Sequence, residues 1–183
     1  SEVEEVLKRS KESVERVDRD VRRVLRELED LNRKNHKRVE EVIRDAERIL
    51  REVEDMVRRG VEKEKLEKIV RDLRRTVEKV LKELRDSLRE IKRKVDEVLE
   101  RLERIIRENE ELIRRALERI GRDLDKEVDE LRKSSEKSVE DIKRVVDRLR
   151  DSARKIIKST EDVVKELERR VREVIKRIKE EAT

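Results

Sequence analysis

Apolar residues return every three or four positions along the whole of this chain, and the pattern is divided at only two places. The apolar stripes run from residue 3 to 60, from 66 to 120 and from 124 to 178. Such a period places the apolar side chains on one face of an α-helix. The chain contains no proline and only two glycines, Gly60 and Gly121. Because glycine readily adopts the positive φ angle that follows a helix, these positions predict turns between three helices.

We therefore expect an all-α fold, an up-down-up antiparallel three-helix bundle with coiled-coil-like packing. The helices are predicted at about 3–59, 63–120 and 123–181, each about 57–60 residues long, with Asp123 as the N-cap of the third. Doubled apolar pairs such as Val42-Ile43 widen the stripe, as suits a helix that contacts two neighbours. The whole chain, 1–183, is predicted to form this single bundle.

Folding the chain at the two glycines brings polar residues of the inner faces to two common heights. Residue n of the first helix then lies level with residue 123 − n of the second and n + 121 of the third. The members of one predicted layer are Asn32, Asn35, His36, Ser87, Ser152, Ser159 and Thr160, with Asn32 level with Ser152. The members of the other are Ser10, Ser13, Asn109, Ser134, Ser135 and Ser138.

Amide and hydroxyl side chains can both donate and accept, so these layers are predicted to join the helices and to fix their register. We expect Asn35 and Asn109 to be buried, because both lie on the apolar stripe. For each serine two alternatives stay open: burial within the layer, or contact with water at the edge of the stripe.

The residues that catalysis or metal binding requires are scarce in this chain. There is no cysteine, and the one histidine, His36, has no second histidine with which to share a metal ion. Acidic pairs occur everywhere, so none stands out as an acid–base pair, and there is no glycine-rich phosphate loop. We predict no catalytic, cofactor-binding or metal-binding residues, no cofactor and no enzymatic activity.

Charge predicts few partners. Charged residues form 57% of the chain, yet the formal net charge is only +5 and both signs are spread evenly. We expect no nucleic acid and no membrane as partner, and a soluble protein with no natural location, cytoplasmic if expressed in a bacterial host. A monomer that requires no partner is expected. A homo-oligomer is the alternative if Val6, Val24 or Val163 is partly exposed.

These features together resemble computationally designed three-helix bundles with very long helices. The resemblance rests on two glycines as the only turn markers, equal segments, a core of Val, Ile and Leu, a surface of Glu, Lys and Arg, and the absence of aromatic residues, proline and glutamine. It implies a hyperstable structural scaffold whose polar layers specify register, with no natural biochemical function.

The alternative is a natural helical interaction module, similar to spectrin-like repeats or to BAR domains that bind membrane surfaces. Spectrin-like repeats normally carry aromatic core residues, and this chain has none. BAR domains need a concentrated basic face, whereas each third of this chain is nearly neutral.

Overall fold

A computed structural model of the chain describes residues 2–120 and 125–183. These residues form three long helices: α1 spans Glu2–Arg59, α2 spans Lys63–Ile120 and α3 spans Asp125–Glu181. The described residues contain no strand. The predicted all-α, three-helix fold is therefore confirmed. The predicted turn at Gly121, the N-cap at Asp123 and the start of the third helix at residue 123 lie outside the described residues.

The turn after α1 depends on the backbone of Gly60, which has a φ angle of 83°. The Gly60 N–H donates to the Val57 carbonyl over 3.2 Å, and α2 begins three residues later, with the Lys65 N–H donating to the Glu62 carbonyl over 3.1 Å. No atom lies within 4 Å of the point that a Cβ on Gly60 would occupy. Glycine is therefore required here for its backbone angle and not for space.

The helices contribute to two compact units, each with segments of all three helices. Unit 1 comprises Ser1–Leu28 and Lys92–Lys155, and unit 2 comprises Glu29–Ile91 and Ile156–Thr183. The prediction that the whole chain forms one single bundle stays a prediction.

Unit 1 has α1 antiparallel to α2 and parallel to α3. Two ion pairs between α1 and α2 run in opposite chain directions: Glu2 with Arg119 at 3.1 Å and Glu27 with Lys94 at 3.2 Å. Two contacts between α1 and α3 run in the same direction: Ser10 with Ser138 at 2.8 Å and Asp18 with Arg148 at 3.7 Å. One apolar cluster of this unit draws on the three helices, through Val3, Val6, Ile113, Ala116 and Leu131.

Unit 2 has the same helix directions. Between α1 and α2 the contacts of Asn35 with Ser87 and of Arg38 with Glu83 run in opposite chain directions. Between α1 and α3 the contacts of His36 with Ser159 and of Glu47 with Arg170 run in the same direction. Its core is continuous and built almost wholly of aliphatic residues: Val39, Val42, Ala46, Leu50, Val53, Leu66, Val70, Leu73, Val77, Val80, Leu84, Leu167, Val171, Val174 and Ile178. Each unit thus has the up-down-up arrangement predicted from the period and the glycines.

Two of the three valines considered as exposed sites of self-association are buried. Val6 and Val24 are each only 4% exposed, and Val163 is half-buried. The exposed large apolar residue among those described is instead Val139, at 42%. It directly follows Ser138, which occupies the buried position of the stripe, and successive residues of an α-helix point about 100° apart.

We expect Gly60→Ala to lower the free energy of unfolding by about 1–2 kcal/mol, because an L-residue with a Cβ is strained at positive φ. Chemical denaturation followed by circular dichroism measures the change. Gly60→Asn is the matched control, and it should lose less because asparagine tolerates this backbone region. Equal stability of Gly60→Ala and the parent chain would show that the turn does not need the positive φ.

Candidate functional site

The polar residues of the inner helix faces form two groups, one in each unit. We call Asn32, Asn35, His36, Ser87, Ser159 and Thr160 the unit 2 polar layer. We call Ser10, Ser13, Asn109, Ser134, Ser135 and Ser138 the unit 1 polar group. Ser152, which was predicted to belong with Asn32, lies in unit 1 and outside both groups.

In the unit 2 polar layer, Asn35 connects α1 to α2. Its Nδ2 donates to the Oγ of Ser87 over 2.9 Å. Asn35 is only 9% exposed because it occupies a position of the apolar stripe, and Ser87 is half-buried. A buried amide that finds such a partner contributes about 1 kcal/mol net, whereas one left unpaired costs about 1–3 kcal/mol.

Two further pairs connect α1 to α3. The Nε2 of His36 lies 2.8 Å from the Oγ of Ser159. The hydroxyl of Thr160, which is completely buried, lies 3.3 Å from the Oδ1 of Asn32 and 3.1 Å from the carbonyl of Ile156. Thr160 has a single hydroxyl proton, so it divides its donation between the asparagine and its own helix.

Asn32 was predicted to lie level with Ser152, but its partner is Thr160, another member of the same predicted layer. Asn32 and His36 lie one turn apart on the face of α1 that meets α3. Ser159 and Thr160 are adjacent in α3 and both reach α1, so the two α1 residues share one turn of α3. Height along the helix, which the sequence supplies, does not determine such a diagonal pairing.

The unit 2 polar layer consists of three separate pairs. α1 supplies one member of every pair, α2 supplies one partner and α3 supplies two. Within the described part of the chain, no side-chain hydrogen bond links one pair to another. The arrangement holds α1 against both neighbours at one height, through three bonds that each depend on a separate geometry.

The unit 1 polar group is paired only in part. Ser10 and Ser138, 1% and 6% exposed, share a hydrogen bond of 2.8 Å between their hydroxyl oxygens. Ser13 donates to the carbonyl of Arg9 in its own helix over 3.1 Å, which is a common local bond of serine in helices. Of these two contacts, only the bond between Ser10 and Ser138 joins α1 to α3.

Asn109 of α2 is buried, as predicted, but none of the described residues bonds to its carbonyl oxygen, Oδ1. Its side chain is only 3% exposed. Ser134, Ser135 and Ser152 are half-buried. Their hydroxyls bond to none of the residues at 2–120 and 125–183. The Asn109 amide therefore carries a desolvation cost that Asn35 avoids through Ser87.

Ion pairs between helices are a feature that the sequence interpretation missed. Within residues 2–120 and 125–183, five join neighbouring helices: Glu2 with Arg119, Asp18 with Arg148, Glu27 with Lys94, Arg38 with Glu83, and Glu47 with Arg170. Charges that flank an apolar stripe are the signal that could have indicated them. Each contributes about 0–1 kcal/mol at the surface, so they orient the helices more than they stabilise them.

Strongly ionised pairs mark the exposed surface. The pKa of Glu111 is lowered, first by the hydrogen bond from Arg114 and then by that from Arg115. A carboxylate held in this way stays charged near neutral pH and is a poor general base.

Among residues 2–120 and 125–183, no three or more His, Asp or Glu side chains are grouped so that they could hold a metal ion. None of the helices, where described, has an apolar stretch long enough to cross a membrane.

We expect Ser10→Ala to cost about 1 kcal/mol of unfolding free energy, since it leaves the buried Ser138 hydroxyl without its partner. The double variant Ser10→Ala/Ser138→Ala should recover most of that loss, because neither helix then buries an unpaired hydroxyl. Denaturant unfolding of the parent, both single variants and the double variant gives the coupling energy. Strictly additive losses would show that the two hydroxyls do not depend on each other.

Comparison with known proteins supports the fold described above. No protein-family model matches the chain, and no curated protein matches it. Among solved structures the chain is similar to one described as a "Computationally designed three helix bundle", with a TM-score of 0.64 and 19% sequence identity. The similarity covers 98% of this chain and 91% of that one. The predicted resemblance to designed three-helix bundles is confirmed, and at this identity the likeness establishes the fold.

Proposed function

We propose that the chain is a designed, hyperstable structural scaffold in which paired polar side chains specify how the three helices meet. The observation that supports this most directly is the unit 2 polar layer, where α1 bonds to α2 through Asn35 and to α3 through His36 and Asn32. The designed origin of a structurally similar bundle is consistent with it.

The apolar stripe of α1 explains why such a layer is useful. Val14, Val21, Leu28, Asn35 and Val42 follow each other at intervals of seven residues. A slip of α1 by seven residues would exchange one aliphatic residue for another at most of these positions, with little change in the apolar area that the stripe buries. At Asn35 it would bury an unpaired amide, which costs about 1–3 kcal/mol. The polar residue therefore discriminates between registers that the aliphatic residues accept equally.

The same geometry gives a catalytic role little support. The Nε2 of His36 lies 2.8 Å from the Ser159 hydroxyl, which is the spacing of a base and a nucleophile, but no described residue bonds to the other ring nitrogen to orient the imidazole. General base catalysis requires a base beside a nucleophile and a substrate site, with a third group to orient the base. We assign His36 the role of fixing α1 against α3.

We further propose that the scaffold is a monomer that needs no partner. Both charge signs alternate over the surface, and many of the charges are paired within one helix, such as Arg93 with Glu97 at 2.7 Å and Arg169 with Glu166 at 2.9 Å. Such a surface has no extended field of one sign to attract nucleic acid or an anionic membrane. The single exposed valine described above is too small a patch to argue for association.

The proposed role of the layer is tested by Asn32→Leu/Asn35→Leu/Thr160→Val. We expect this variant to keep its helix content and, like the parent, to stay helical to about 90 °C, since buried polar groups often add little net stability. Its register should become heterogeneous. Spin labels at exposed Arg51 of α1 and Arg172 of α3, both in unit 2, report this as a broadened or multiple distance distribution.

The matched control is Val39→Ala, which removes apolar contacts from the same core but leaves the polar pairs intact. It should lower stability by about 1–3 kcal/mol and keep one narrow distance distribution. If the polar variant also keeps one narrow distribution at the parent distance, the layer does not specify register and the proposal is wrong.

Membrane or nucleic-acid binding separates the scaffold from the natural interaction module. We expect any association with vesicles rich in anionic lipid, or with duplex DNA, to disappear at about 0.15 M salt, where the Debye length is about 8 Å. Vesicle co-sedimentation and electrophoretic mobility shift measure the two cases. Binding that persists at this ionic strength would favour a surface-binding module over a scaffold.

A further inference from the structure

We propose that unit 1 and unit 2 open separately in the native protein, and that unit 1 opens first. The proposal concerns local unfolding and does not depend on whether the chain was designed. Proteins commonly open in cooperative parts that differ in their free energy of opening. The parts that bury fewer apolar contacts, or that leave buried polar groups without hydrogen bonds, open most readily. Here the two units differ in how they satisfy their buried polar groups.

Each unit has apolar residues enough to form its own core. In unit 1 the three helices contribute Val17 and Leu28 from α1, Leu102 from α2 and Leu149 from α3, none more than 1% exposed. In unit 2 the continuous aliphatic core described above also draws on all three helices. Helix segments in one unit can thus stay packed on each other while the other unit opens.

The buried amides differ between the units. In unit 2, Asn35 donates to Ser87, and Thr160 bonds to Asn32. In unit 1, Asn109 is more deeply buried than Asn35, at 3% against 9% exposed, yet no residue in the described part of the chain bonds to its Oδ1. When unit 1 opens, this oxygen gains water, whereas opening unit 2 exchanges existing hydrogen bonds for bonds to water. This difference lowers the free energy of opening unit 1 relative to that of unit 2.

One buried nitrogen of unit 2 also lacks a hydrogen bond, the Nε of Arg170. Its situation is different, because the guanidinium forms an ion pair with Glu47 through Nη2 at 3.1 Å and the Nε itself lies 3.6 Å from the carboxylate of Glu166. The Arg170 side chain is also 41% exposed. Although the Nε atom itself is buried, the charge of the guanidinium is neutralised by two carboxylates, a compensation that the neutral amide of Asn109 does not have.

Native-state hydrogen exchange of the full chain tests the proposal directly. We expect the amides of 2–28, 92–120 and 125–155 to share one opening whose protection is at least about tenfold lower than that of 29–91 and 156–181, a ratio worth about 1.4 kcal/mol. Added denaturant should raise exchange in the first set before the second. One common opening for both sets, or a lower protection of unit 2, would overturn the proposal.

Asn109→Leu tests the cause. Removing the unpaired amide should raise the protection of unit 1 about tenfold and leave unit 2 within about threefold of the parent. Asn35→Leu is the matched control in unit 2, and it should leave the protection of unit 1 unchanged. An equal rise in both units for Asn109→Leu would show a single cooperative core. Unchanged protection in unit 1 would show that Asn109 does not set its opening.

Discussion

The structure depends on the burial of an apolar stripe that continues along helices of 57 and 58 residues. With 57% of the chain charged and no aromatic residue present, the hydrophobic stabilisation comes from many small aliphatic contacts and not from a few large ones. Such a stripe stabilises the fold only if every turn packs against a neighbouring helix, because helices in proteins owe most of their stability to tertiary packing. Three helices with wide stripes satisfy this requirement, since each one then covers part of both others.

A uniform aliphatic stripe buries well but discriminates poorly. Residues of similar size recur every seven positions, so alternative registers differ little in buried area. The polar residues change this balance because they lose more when mispaired than they gain when paired. The unit 2 polar layer illustrates the asymmetry: α1 meets α2 through one hydrogen bond of 2.9 Å and α3 through others of 2.8 and 3.3 Å. Any slip of α1 breaks all three, while most apolar contacts are replaced.

Sequence reasoning succeeded where one physical period controls the outcome. The three-residue and four-residue steps indicate which face of each helix is buried, and Gly60 marks the turn because its backbone angle excludes most other residues. The burial of Asn35 and Asn109 followed from the same steps. The pairing followed only in part: Asn35 and His36 bond to Ser87 and Ser159 of their own predicted layer, but Asn32, predicted to lie level with Ser152, bonds to Thr160. The apolar period shows to which side of the helix a side chain points. Which side chains form a pair depends in addition on how far one helix is shifted along its neighbour, and on the side-chain rotamers. The interhelical ion pairs were missed for the same reason.

Asn35 and Asn109 are the same residue type, and both are buried on an apolar stripe, yet only the amide of Asn35 forms a hydrogen bond to a described residue. Asn35 lies opposite Ser87, whose hydroxyl reaches it from α2. Around Asn109 the sequence supplies more hydroxyls, yet Ser10 and Ser138 bond to each other and Ser13 bonds to its own helix. The number of polar residues at one height thus does not decide whether a buried amide is satisfied. What decides it is whether a hydroxyl both reaches the amide and is free to bond: Ser10, Ser13 and Ser138 are engaged elsewhere, and Ser134 and Ser135, which have no partner among the described residues, do not bond to Asn109.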